Sequence, residues 1–181
     1  MSDQNMGKKM VEGVGLEQFL DAYAVVTGTP MAVVSSGESP DFICARPNGK
    51  QVGIELARSS HDYHSAKWDK MMEDRVMSAR DLLDAVNITI EQKRRKIKSA
   101  HWRTPYCTIL VVQLLDYTFD SLAWTKERSL SNDYARMGFL EIWIADYSTL
   151  EAFDEVRLTG LYPPEFWGCH DQPALKGKPY G

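Results

Sequence analysis

The residues with the most chemical content lie around one predicted hairpin. Two strand-like runs, Asp41 to Arg46 and Lys50 to Ala57, flank Pro47-Asn48-Gly49. Proline fits the second position of a type I turn, and a following glycine in the left-handed region closes a three-residue loop with a bulge. In that loop Arg46 pairs with Lys50, and counting outward sets Asp41 directly across from Glu55. If Asn48-Gly49 is instead a two-residue type I′ turn, the register slips by one and the carboxylates fall on opposite faces. The proline preference favours the first arrangement. Opposed side chains have Cβ atoms about 4.5–5.5 Å apart, and like charges there are destabilising, unless a cation sits between them or one is protonated. Such a pair asks for a metal. Its other face, Phe42 and Cys44 against Val52, Ile54 and Leu56, makes a good core, while Ala45, Gly53 and Ala57 leave room beside the acids. The bland alternative is an Asp that caps a turn and a Glu that keeps an edge strand soluble.

The elements that must hold this pair follow from hydrophobic spacing. Leu16, Phe19, Leu20 and Tyr23 recur at helical intervals and stop near Gly28 and Pro30, which predicts a helix over Val14 to Thr27. Met31 to Ser35 reads as a first strand, ended by Ser36-Gly37-Glu38-Ser39-Pro40. Ser60 to Ile97 is mostly helical with a break between Arg80 and Asp84. Thr108 to Leu115 is an apolar run of the kind buried on both faces, and Asp116 to Asp133 is irregular. Gly138 to Ala145 is a further strand, with Leu140, Ile142 and Ile144 alternating against Glu141 and Trp143, followed by a short helix over Leu150 to Val156. The proline-rich tail from Tyr162 reads as irregular. This order predicts an α/β domain on the α+β boundary, a mixed sheet with a hairpin and helices on both sides.

Within the helix ending near Ile97, Lys93 sits three residues after Ile90 and four before Ile97, inside the apolar stripe begun by Val86. A lysine there either snorkels its ammonium outward or serves a site. Arg94, Arg95, Lys96 and Lys98 lie on other faces, where a solvated charge run is the ordinary explanation.

Composition bounds the rest. The chain has 181 residues, a formal charge of −4 and 44% hydrophobic residues, which suits one domain with a real core: a flexible tail over 1–11 and a single domain over 12–181. Bulk charge argues against coating nucleic acid, so any such binding needs a local patch. The three cysteines, Cys44, Cys107 and Cys169, are in no CxxC pair, which disfavours a disulfide framework or a thiolate zinc site. With no signal-like core or membrane-length apolar run, the expectation is a cytoplasmic protein without a membrane partner.

Ser39-Pro40-Asp41-Phe42, the hairpin, and Gly53-Ile54-Glu55-Leu56-Ala57-Arg58 together resemble the PD-(D/E)XK nuclease superfamily, whose core has the restriction-endonuclease-like order αβββαβ. The resemblance covers roughly Val14 to Leu115. It implies a nuclease-like domain, an endonuclease that hydrolyses phosphodiester bonds of DNA with Mg²⁺ or Mn²⁺. Asp41 and Glu55 would be metal ligands, and a carbonyl near Leu56 a third. The chain departs from the pattern where the motif lysine should stand two residues after the Glu: Ala57 is there. Arg58 points to the opposite face and cannot substitute, so Lys93 becomes the candidate migrated catalytic lysine. For the glutamate that the first helix of the superfamily can supply, Glu17 is favoured over Glu12. Lys93, Arg94, Arg95, Lys96, Lys98 and Arg103, with His101 and Trp102, would form the DNA-facing patch. A catalytically degenerate member, serving as a nucleic-acid-binding or protein-interaction module, is the alternative, and Ala57 is its chief support.

Other groups attract weaker functional readings. His61 and His64, with Cys169, His170 and Asp171, carry metal-ligand chemistry at spacing poor for zinc. Gln113 reads as a satisfied core amide or a group behind the site. Cys44 and Cys107 read as small core hydrophobes. The aromatic tail Tyr162 to Trp167 reads as packing that closes the domain, or as a subunit interface in a homodimer.

Overall fold

The structure, a computed structural model, describes residues 3–59, 79–98, 107–115, 133–148, 150 and 155–170. Helix α1 spans Asp3–Thr27, reaching further back than Val14. It buries Leu16, Phe19, Leu20 and Tyr23 and ends at Gly28, whose φ of 68° lets its amide donate to the Ala24 carbonyl at 2.9 Å, a left-handed helix cap. Strands β1 (Ala32–Ser36), β2 (Phe42–Ala45) and β3 (Gln51–Arg58) follow. Helix α2 (Ala79–Ile97) then precedes β4 (Thr108–Leu114). A 3₁₀ turn at Tyr134–Met137 leads to β5 (Glu141–Asp146) and β6 (Arg157–Tyr162), and a second at Pro164–Phe166 leads to β7 (Gly168–His170).

Among the described residues the strands form one sheet in the order β1-β2-β3-β4-β5-β6-β7. β3 runs parallel to β4, and β4 to β5; the outer pairs are antiparallel. This mixed α+β arrangement is compatible with the α/β class expected. The parallel step from β3 to β4 requires a crossover connection, and α2 lies within it.

Alternation along the strands divides the core into two layers. Ile54, Leu56, Ile109, Val111 and Trp143 pack with the stripe of α1. Ala57, Leu110, Val112, Ile142 and Ile144 pack with Leu82, Leu83, Val86, Ile90 and Ile97 of α2. The helices therefore cover opposite faces, and β4 and β5 are buried along their whole length.

Several expectations are corrected. α2 runs unbroken from Ala79 through Asp84, because its apolar stripe continues through Leu82, Leu83 and Val86. β5 does not alternate between core and solvent: Glu141 and Trp143 are as buried as Ile142 and Ile144, since a helix covers each face. The tail from Tyr162 is not irregular throughout, for it holds a 3₁₀ turn and β7. β6 escaped notice because Gly160 interrupts its pattern. A Cβ there would stand 1.9 Å from the Phe166 carbonyl oxygen, so only glycine lets that segment fold back over the strand. Cys44 is buried as expected, but Cys107 is exposed ahead of β4. Most of the helix expected over Leu150 to Val156 lies outside the described residues.

Candidate functional site

The hairpin register sets the geometry of the site. Phe42 pairs with Ile54, Ile43 with Gly53, Cys44 with Val52 and Ala45 with Gln51. The Arg46 amide donates to the Lys50 carbonyl and the Gly49 amide to the Arg46 carbonyl, both at 2.9 Å. Gly49 has a φ of 79°. This is the three-residue loop, and Asn48 Oδ1 steadies it by accepting the Lys50 amide at 3.0 Å. One step beyond the last pair, Asp41 stands opposite Glu55. Phe42, Cys44, Ile54 and Leu56 belong to the α1 side of the core, so alternation turns both carboxylates toward the α2 side.

Asp41 Oδ2 accepts the Leu56 amide at 2.8 Å. Its carboxyl is nevertheless pushed up to about 6: burial disfavours the charge, and neighbouring Glu55 repels it. The Leu56 amide and the Lys93 ammonium pull the other way, and Glu12 adds a smaller repulsion. Glu55 is buried. One of its oxygens, Oε2, has no hydrogen-bond partner among the described residues.

Lys93 enters from α2. Its place in the stripe of Val86, Ile90 and Ile97 carries the side chain inward, and its ammonium donates to Glu55 Oε1 and to the Leu56 carbonyl at 3.4 Å. Ala57, where the motif lysine would stand, is buried in the α2-side core, and Arg58 is exposed. Two carboxylates, one carbonyl and one ammonium thus gather around the Leu56 peptide.

These groups suit a hard divalent cation. Such ions take oxygen ligands, few of them carboxylates, with water filling the remaining positions. Glu55 Oε2 is a buried oxygen lacking a donor among the described residues, and of the two effects that raise Asp41, burial first and repulsion by Glu55 second, the repulsion is what a cation would relieve. Among the described residues no three His, Cys, Asp or Glu side chains form a metal cage, so the Leu56 carbonyl would have to be the third protein ligand.

Glu17 does not join this group. It is exposed, whereas half-buried Glu12 is the α1 glutamate whose charge reaches Asp41. The spacing carried the signal: Glu12 lies four residues before Leu16 and seven before Phe19, in line with the buried stripe, while Glu17 is rotated about 100° from Leu16.

The basic run is also less uniform than its sequence suggests. Lys93 is turned inward. Arg94 pairs with Glu91 at 3.0 Å and Arg95 with the same carboxylate at 3.8 Å. Lys96 and Lys98 are exposed. His101, Trp102 and Arg103 lie outside the described residues, as do His61, His64 and Asp171. His170 instead meets the Phe166 carbonyl at 3.0 Å and lies against Trp143. Gln113 is buried on the sheet face opposite Glu55, the face on which the Tyr147 hydroxyl donates to the Gly15 carbonyl at 2.6 Å.

Sequence reasoning missed a second buried polar cluster near the starts of the parallel strands. Glu141 Oε1 accepts from Arg46 Nη2 at 2.5 Å and from the Tyr23 hydroxyl at 3.1 Å, and Oε2 accepts Trp143 Nε1 at 2.8 Å. Burial, then the charge of Glu141, drives the Tyr23 hydroxyl well above its ordinary range, so it stays a donor. This cluster ties the hairpin end, the C-terminal part of α1 and β5 together. An acid inside an otherwise apolar run was its one sequence signal.

Comparison with protein-family models, curated proteins and solved structures found no significant match. Among the described residues no helix is long and apolar enough to cross a membrane.

Proposed function

We propose that this chain is a metal-dependent endonuclease of the PD-(D/E)XK type, hydrolysing phosphodiester bonds of DNA with Mg²⁺ or Mn²⁺. The observation that carries the proposal is the convergence of Asp41, Glu55 and the Lys93 ammonium on the Leu56 peptide, although the lysine comes from a different element from the one the motif uses.

Asp41, Glu55 and the Leu56 carbonyl would hold the cation. Once bound, such an ion lowers the pKa of water and offsets charge building on the phosphorane. Asp41 is steered by the Leu56 amide, which fixes one carboxylate oxygen and leaves the other to bind. Lys93 holds Glu55 in place and presents N–H donors where charge develops on the phosphate, a contribution of the order of 10²–10³ in rate for preorganised donors of this kind. Glu12 would add negative charge at the rim. Exposed Lys96 and Lys98 supply phosphate contacts that the net charge of −4 conceals.

A degenerate, non-cleaving relative is the second reading, favoured by Ala57 alone. Incubating plasmid and linear DNA with the wild type and Asp41→Ala in Mg²⁺ or Mn²⁺ separates the two. Cleavage that needs the cation and disappears with Asp41→Ala is expected; cleavage that survives the substitution overturns the nuclease site.

A further inference from the structure

We infer that the Lys93 ammonium is a placeholder for the divalent cation: it rests on Glu55 and the Leu56 carbonyl when no ion is bound, and an ion must displace it from that carbonyl to bind. This rests on the proposed cation site of Asp41, Glu55 and the Leu56 carbonyl, and it adds a step that precedes the action of the lysine on phosphate.

The backbone explains why the carbonyl is open. The Gly53 amide donates to the Cys107 carbonyl, and the amide of Ser59, just past β3, donates to the Gln113 carbonyl. Odd-numbered residues here therefore direct N–H and C=O toward β4, and even-numbered ones toward β2. Val52 pairs with Cys44 and Ile54 with Phe42, which sets Pro40 opposite Leu56 on the next rung. Proline has no amide hydrogen to donate. The Leu56 carbonyl is left out of the ladder, while Asp41 Oδ2 takes the Leu56 amide at 2.8 Å.

Lys93 fills that gap. Its ammonium donates to the carbonyl at 3.4 Å and to Glu55 Oε1, so one positive charge already bridges two of the three protein ligands. Glu55 Oε2, the oxygen the ammonium does not take, has no hydrogen-bond partner among the described residues. A divalent ion set between Oε2, Asp41 and the carbonyl would meet an ammonium on the same carbonyl oxygen, and like charges at that range repel. The lysine has the means to leave, because its stem of four methylenes is flexible and its side chain is partly exposed. Freed from the carbonyl, the ammonium gains the phosphate as its partner.

Calorimetric titration with Mn²⁺ tests this on full-length wild type, Lys93→Met, Lys98→Met and Asp41→Ala, the last showing which binding belongs to the site. An occupant that leaves about one molecule in ten open to the ion weakens apparent affinity about 10-fold. Lys93→Met should therefore bind Mn²⁺ about 10-fold tighter than wild type, and Lys98→Met, which removes an equal charge from an exposed position, should not. In parallel, wild type is pulse-labelled with an amine-acylating reagent with and without Mg²⁺ and read by mass spectrometry. Mg²⁺ should speed the labelling of Lys93 several-fold relative to exposed Lys96 and Lys98. Equal or weaker binding by Lys93→Met, an equal gain in Lys98→Met, or Lys93 labelling unmoved in cation-bound wild type would overturn the placeholder, while Asp41-dependent binding by wild type keeps the cation site. Binding by Lys93→Met but not by wild type upholds both. Binding by neither removes the cation site and the placeholder with it. Should Lys93→Met fail to fold, the labelling of wild type decides.

Discussion

The ammonium of Lys93 and the carboxylate of Glu55 form an ion pair between α2 and β3, with the lysine side chain 19% and the glutamate 4% exposed. Breaking a buried pair by removing one partner is costly because it strands the other charge, by about 3–5 kcal/mol. Lys93→Met should therefore lower the unfolding free energy by an amount of that order in EDTA, measured by urea titration. Added Mg²⁺ should recover part of the loss, since the cation replaces the missing positive charge. Lys93→Arg should not restore cleavage, because the planar fork cannot occupy the place of a compact ammonium.

Asp41 gives the pH dependence. Its carboxyl sits at about 6 in the fold against 3.8 for an unperturbed group, so between those values the folded state binds more protons than the unfolded state. Metal-free stability should then fall as pH rises from about 4 to about 6 and level off above, by roughly 1–3 kcal/mol. Asp41→Asn should flatten that window and be more stable than the wild type at pH 7, while losing cleavage. Cation affinity should rise through the same window, because the ion competes with the proton on Asp41. Urea unfolding at a series of pH values, with and without Mg²⁺, measures both.

The basic run should divide into paired and available charges. Lys96→Ala with Lys98→Ala should weaken DNA binding at all sequences and reduce the salt slope by about 2. Glu91→Ala should strengthen binding, because it releases Arg94 and Arg95 from their shared carboxylate. Fluorescence anisotropy on a labelled duplex across a salt series checks both signs.

Gly160 and Glu141 test the fold beyond the site. Gly160→Ala places a methyl against the Phe166 backbone and should destabilise by several kcal/mol, since neither segment is a side-chain end that can swing away. Glu141→Gln removes the charge facing Arg46 and should cost about 3–5 kcal/mol. Thermal melts of the two variants measure these losses.

What could be read in advance was local. Pro47, Asn48 and Gly49 dictated the loop, the loop dictated the pairing, and the pairing set Asp41 opposite Glu55. Lys93 stood out because a charge at a stripe position conflicts with its surroundings. Glu12 ranked below Glu17 because the apolar periodicity starts the helix at Val14 and leaves Glu12 upstream of it, whereas α1 begins at Asp3. Glu141 showed itself only as an acid in an apolar run, because Tyr23 and Arg46, which it binds, lie far away in the chain, and Gly160 owes its identity to the Phe166 backbone that a turn folds back over it.

The most direct test is where a cation sits. Crystals soaked in Mn²⁺ and measured for anomalous scattering should show a peak bounded by Asp41, Glu55 and the Leu56 carbonyl, absent from crystals of Asp41→Ala. A wild-type map with no peak there, or with manganese bound only elsewhere, would contradict the assignment of these residues to a metal-dependent nuclease site.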